Sequence, residues 1–208
     1  MVIDTALLSL PESTSGVFAF GVGVLQHTRE HYVYVVASSL DGKIAGLFPF
    51  RSTGSKLEPL TFVFARHLET QAQAAYITMD VKRQRLFAAY SCAGVAMFDI
   101  SSPSTPRLSA WREFYGMVFQ VVTLSHSPLV LVGLPAREDH ESVNSTSGIA
   151  VLNASSPQSF EESPLQMLAD SVAYSAIAIA VVENEAGHPK IVVANGGAGL
   201  YIYNTTGQ

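Results

Sequence analysis

Four side chains able to hold a cation stand in one row, Glu138, Asp139, His140 and Glu141. An oxygen-rich metal site needs six or more ligands in fixed geometry, and a zinc site needs further ligands at a defined spacing. Neither pattern accompanies this run. It lies in a polar stretch, residues 135–147 (PAREDHESVNSTS), which reads as an exposed loop. Cys92 is the single cysteine. A nucleophilic thiol needs a neighbouring base, and the Ser91-Cys92-Ala93-Gly94 sequence supplies none, so Cys92 reads as a small turn residue. A lone cysteine also excludes a disulfide within the chain. His27, His31, His67, His126, His140 and His188 fall mostly at the edges of apolar runs. Gly196, Gly197 and Gly199 lead into an alternating run, whereas a phosphate-cradling loop must lead into a helix. No G-x-S-x-G elbow, Walker motif or H-E-x-x-H occurs.

The elements that must position these residues recur along the chain. Gly94–Asp99 (GVAMFD), Gly148–Asn153 (GIAVLN) and Gly199–Asn204 (GLYIYN) share one pattern, and a weaker copy starts at Gly42 (GKIAGLFPF). Successive glycines lie 52, 54 and 51 residues apart. A second apolar run precedes each: Tyr32–Ala37, Leu86–Tyr90, Leu129–Gly133 and Ile191–Asn195. A third lies upstream again: Val17–Leu25, Ala75–Val81, Met117–Leu124 and Val172–Val182. Residues 176–180 (AIAIA) alternate with a period of two, the strand signature. A fourth, more polar run follows the Asp or Asn at Arg107–Phe114 and Phe160–Leu168. Each repeat is therefore expected to be four antiparallel strands. Asp99, Asn153 and Asn204 occupy one repeated position, which argues for a short side chain capping the following turn and against catalysis. Residues 71–75 are rich in helix formers and predict a short helix at a junction.

Four short strands every 40 to 50 residues or so is the period of a propeller blade. Stacked sheets bury both faces, which fits a chain that is 48% hydrophobic and only 14% charged. The expected fold is all-β, a single β-propeller domain of about four four-stranded antiparallel blades. Its repeats span approximately 16–66, 72–114, 115–168 and 171–208. Val2–Leu10 is an orphan strand placed before the first repeat as Leu108–Phe114 is placed before the third. Residues 2–10 would complete the last blade and close the ring; the alternative is a fragment of a larger propeller. Thr78, Asp80, Gln120, Thr123 and Ser175 are the polar candidates for lining the central channel. Trp111, Phe114 and Tyr115 are candidates for a protein-contact patch.

Net charge is −5 without a basic cluster beyond Lys82, Arg83 and Arg85, so nucleic acid is not an expected partner. No basic residue precedes Arg29, and no secretory signal is read at the start of the sequence. The longest uncharged stretch, residues 114–136, is interrupted by Ser125-His126-Ser127-Pro128, so no membrane span is expected and the chain reads as soluble. Asn144, Asn153 and Asn204 each begin an Asn-x-Ser/Thr triplet, relevant only if the protein is secreted.

Residues 85–108, RLFAAYSCAGVAMFDISSPSTPRL, resemble the LVIVD repeat: an apolar strand, a glycine turn, a second strand ending in Asp and a Ser/Pro connection. Gly148, Asn153, Ser155, Ser156 and Pro157 repeat part of the pattern. Residues 190–204 (KIVVANGGAGLYIYN) are similar to lactonase-type propeller repeats as well. The LVIVD resemblance implies a β-propeller and carries no catalytic residues with it. The expected function is a non-enzymatic protein-interaction or assembly module, with a protein partner and no cofactor. A metal-dependent lactonase-like hydrolase, holding a divalent cation, and a glycan-binding propeller are the alternatives.

Overall fold

The computed structural model describes residues 16–53, 56–67, 73–114, 117–134, 148–164, 166–168, 176–183, 189–195 and 199–204. They form four antiparallel sheets in chain order. The first contains β1 (Val17–His27), β2 (Glu30–Ser39), β3 (Ile44–Ser52) and β4 (Leu57–Pro59), with β5 (Val63–His67) also on β3. The second contains β6 (Ala74–Asp80), β7 (Arg85–Tyr90), β8 (Gly94–Asp99) and β9 (Arg107–Arg112). The third contains β10 (Gln120–Thr123), β11 (Leu129–Leu134), β12 (Gly148–Asn153) and β13 (Gln166–Met167), with α1 (Pro157–Glu161) between the last two. The fourth contains β14 (Ala176–Glu183), β15 (Pro189–Asn195) and β16 (Gly199–Asn204).

The repeated glycine has one physical cause. Gly42, Gly94, Gly148 and Gly199 all hold positive φ, between 69° and 125°, at the turn that opens the third strand of each sheet. At Gly94 a Cβ would also stand 2.0 Å from the Arg112 carbonyl oxygen, so both backbone and neighbour demand glycine. The repeated Asp or Asn caps the turn at the far end of the same strand. The Ser101 amide donates to Asp99 Oδ1 at 2.8 Å and the Ser155 amide to Asn153 Oδ1 at 3.0 Å.

Strand alternation places one row of side chains on each neighbouring sheet. Leu86, Ala88, Tyr90, Ala96 and Phe98 pack with Tyr34, Val36 and Leu47 of the first sheet. Phe87, Ala89, Val95 and Met97 pack with Val121, Val130 and Val132 of the third. Leu131 and Ile149 in turn meet Ile179, Ile191 and Val193 of the fourth. A sheet covered on both faces has no use for charged rows, which is the physical reason for the low charge.

Three expectations are corrected. Phe160–Leu168 is not one strand: Pro157–Glu161 is helical and only Gln166–Met167 pairs in the sheet. The Ser156 hydroxyl accepts the Ser159 amide at 2.9 Å, Pro157 starts the helix and Phe160 anchors it in the core. Residues 74–75 belong to β6, so the helix expected over 71–75 does not occupy its last two positions. The first sheet has five strands, because the long β3 pairs with β4 at one end and β5 at the other. Residues 2–10 and the loop carrying Glu138, Asp139, His140 and Glu141 lie outside the described residues, as do Ser175 and Tyr115. Among the described residues no helix is long and apolar enough to cross a membrane.

Candidate functional site at one end of the inner strands

The first strands of the four sheets lie side by side, β1 against β6, β6 against β10 and β10 against β14. Side chains tie them together. The Gln120 amide group bridges to β14, donating from Nε2 to the Ile179 carbonyl at 3.0 Å and accepting the Ile179 amide on Oε1 at 2.5 Å. It thus mimics a ladder bond between strands of different sheets. The Thr123 hydroxyl reaches the Met79 carbonyl of β6 at 3.5 Å, the outer limit of a hydrogen bond. Away from these strands, the Tyr90 hydroxyl donates to the Gly46 carbonyl at 2.8 Å and the Tyr34 hydroxyl to that of Pro103 at 3.0 Å. Burial raises the pKa of both phenols, so they stay protonated donors.

At one end of the inner strands a cavity of about 530 Å³ opens between the second, third and fourth sheets. Met79, Asp80, Val81 and Lys82 line it from the end of β6, Thr123, Ser125 and His126 from the end of β10, and Val181 from β14. Its size is that of a small-molecule site, with a few convergent polar groups over an apolar floor. Asp80 is buried, its carboxylate accepting from the Arg83 amide at 3.0 Å and from Arg83 Nη1 at 2.7 Å. That pairing engages the carboxylate and fixes the β6–β7 turn. An ammonium, an imidazole and two hydroxyls therefore face the cavity beside an acid whose charge is already compensated. This set suits a polar or anionic ligand. Among the described residues no three His, Cys, Asp or Glu side chains are placed to share a cation.

Of the channel candidates, Asp80 and Thr123 line this cavity, Gln120 stitches two sheets, and Thr78 is half-buried on β6. His126, one of the six histidines that the sequence places at the edges of apolar runs, completes the cavity with Lys82 and Ser125, which lie in turns whose convergence only the stacking of three sheets creates. The two described aromatic candidates, Phe114 and Trp111, are engaged within the chain. Phe114 is buried between the second and third sheets. Trp111 stacks on Tyr90 at 5.4 Å, donates from Nε1 to the Ala93 carbonyl at 3.0 Å and lies under the Arg66 guanidinium, 5.8 Å away.

No protein-family model matches the chain. No curated protein matches it. Solved structures do. One titled "putative 6-phosphogluconolactonase" from Bacteroides uniformis aligns with 92% of this chain at a TM-score of 0.56 and 10% identity. A protein from Lactobacillus plantarum covers 90% of this chain and is 67% covered by it, with a TM-score of 0.45 and 14% identity. An exo-1,5-alpha-L-arabinanase from a bovine ruminal metagenomic library covers 93% and is 75% covered, at 0.44 and 14%. The chain spans 54% of the length of the Bacteroides protein. At such identity the likeness concerns fold alone, and with the four stacked antiparallel sheets it identifies the chain as nearly all-β with a propeller-like fold.

Proposed function

We propose that this chain is a non-enzymatic assembly module of a β-propeller, its four repeats being consecutive blades whose two end faces are made to be covered by protein. One observation carries the reading. The outward face of the first sheet, at Val22 and Val24, and that of the last, at Leu200 and Ile202, are apolar and exposed. Soluble chains rarely leave such contiguous faces wet. In a Cys92→Ser background, single Val24→Cys and Ile202→Cys variants are labelled with a permeant maleimide in the producing cells. Both thiols are expected to be protected until the protein is denatured. Rapid labelling of both in the native protein would refute the reading.

A second reading, a propeller hydrolase acting on a sugar lactone, is favoured by the cavity at the mouth of the inner strands and by the similarity to the Bacteroides structure. Purified protein would then accelerate ring opening of 6-phosphogluconolactone, His126→Ala would lower the rate at least tenfold, and elemental analysis would reveal any divalent cation required. A rate equal to the spontaneous one retires it.

A further inference from the structure

We infer that two copies of this chain close a single ring, head to tail, with the open face of the first sheet in each copy packed on the open face of the last sheet in the other. The inference rests on the assembly reading and names its partner. The rows on these faces are Val22–Val35–Phe48 and Val24–Val33–Phe50 on the first sheet, where Phe48 and Phe50 are already buried with Leu57 and Phe62 and the open part is the β1–β2 side, and Ala178–Ala194–Leu200 and Ala180–Val192–Ile202 on the last. None holds a charged residue. Their outermost members are strongly exposed: Val22 63%, Val24 60%, Leu200 66% and Ile202 60%.

Register shows what each face is for. Counting back from the repeated glycine, Val192, Ala194, Leu200 and Ile202 are equivalent to Phe87, Ala89, Val95 and Met97. Those four residues of the second sheet pack on the sheet that follows it, as Leu131 and Ile149 of the third sheet do. The open face of the last sheet is therefore the face that a following sheet covers. The first sheet uses Tyr34, Val36, Ala45 and Leu47 toward the second, so its open rows are those that meet a preceding sheet. A following face and a preceding face are complementary, and neither complements itself. Head-to-tail contact between two copies satisfies both faces at once and closes without an end. One chain covers 54% of the Bacteroides structure it resembles, so that structure has room beside these sheets for further ones.

The test is the molar mass in solution, by light scattering on a size-exclusion column. Twice the 22.3 kDa of one chain is expected. The mass of a single chain, or an open-ended series of larger species, overturns the inference. Val24→Lys and Ile202→Glu are each expected to halve the mass while leaving the far-ultraviolet circular dichroism unchanged. Mixing the two variants should restore the full mass, because the mixed pair keeps one native contact and sets lysine against glutamate at the other. Failure of the mixture to associate, with both variants folded, excludes head-to-tail pairing. If either variant misfolds, the wild-type mass alone decides. Protected thiols with any mass other than twice that of the chain leave the assembly reading standing and remove the second copy; reactive thiols with a single-chain mass remove both.

Discussion

At Gly94 two separate demands meet in one residue. Its φ of +113° is strained for any side chain, and the Arg112 carbonyl leaves no room for a Cβ. Gly199 occupies the same repeat position with φ of +95° but has nothing within 4 Å of that point. Gly94→Ala and Gly199→Ala therefore separate strain from clash. Gly199→Ala should cost only the strain of an unfavourable φ, about 1–3 kcal/mol. Gly94→Ala should cost distinctly more, because the contact is with backbone, which must move and take β9 with it. Chemical denaturation of the two variants measures the difference, and equal losses would show that the Arg112 contact relaxes freely. Elsewhere single residues set local protonation. The Ser39 hydroxyl bonded to the Asp41 carboxylate, helped by the Lys43 amide, holds that carboxyl below its usual pKa in the β2–β3 turn. These roles were legible at Gly94, Asp99 and Asn153 because repetition at one spacing singles out residues tied to a turn.

Among elements, the strands that a glycine or Ser/Pro turn punctuates were readable almost to the residue. Gly94–Asp99, Gly148–Asn153 and Gly199–Asn204 are β8, β12 and β16. The outer elements were less legible. Along Phe160–Leu168 the apolar residues suit a strand, but the Ser156-Pro157 start is a local helix signal, and Phe160 reaches the core from a helix as well as from a strand. Inner strands carried a feature hidden from pattern reading. β1, β6 and β14 each contain a bulge near their start, at Ala19/Gly21, Ala74/Tyr76 and Ala176/Ala178. A bulge shifts the alternation by one residue, so side chains after it point opposite to the assignment made before it. This blurs which polar residues of an inner strand face the axis and which face a neighbouring sheet. Gln120, on the unbulged β10, shows a second hidden feature: a polar side chain of an inner strand can bond the backbone of the next sheet, which no pattern within its own strand signals.

Among the described residues three cores are each shared by neighbouring sheets and a fourth, around Phe48 and Phe50, lies within the first sheet, so cohesion between sheets is nearest-neighbour in kind, as in a repeat protein. The second and third sheets are covered on both faces, whereas the fourth holds on by one face, a smaller core and the Gln120 bridge. Such a stack should loosen from its last sheet inward. Hydrogen exchange on the single-chain Val24→Lys variant is expected to find the slowest amides in β7, β8, β11 and β12 and faster ones in β14–β16. Adding Gln120→Ala removes both bonds to Ile179 and leaves its amide without a partner, a loss of about 1–3 kcal/mol. That loss should speed exchange in β14–β16 roughly tenfold or more and leave β7 and β8 untouched, because the bridge joins the fourth sheet to the third and nothing beyond it. A uniform acceleration through all four sheets would mean that the stack unfolds as one cooperative unit, and the nearest-neighbour account of its stability would then be wrong.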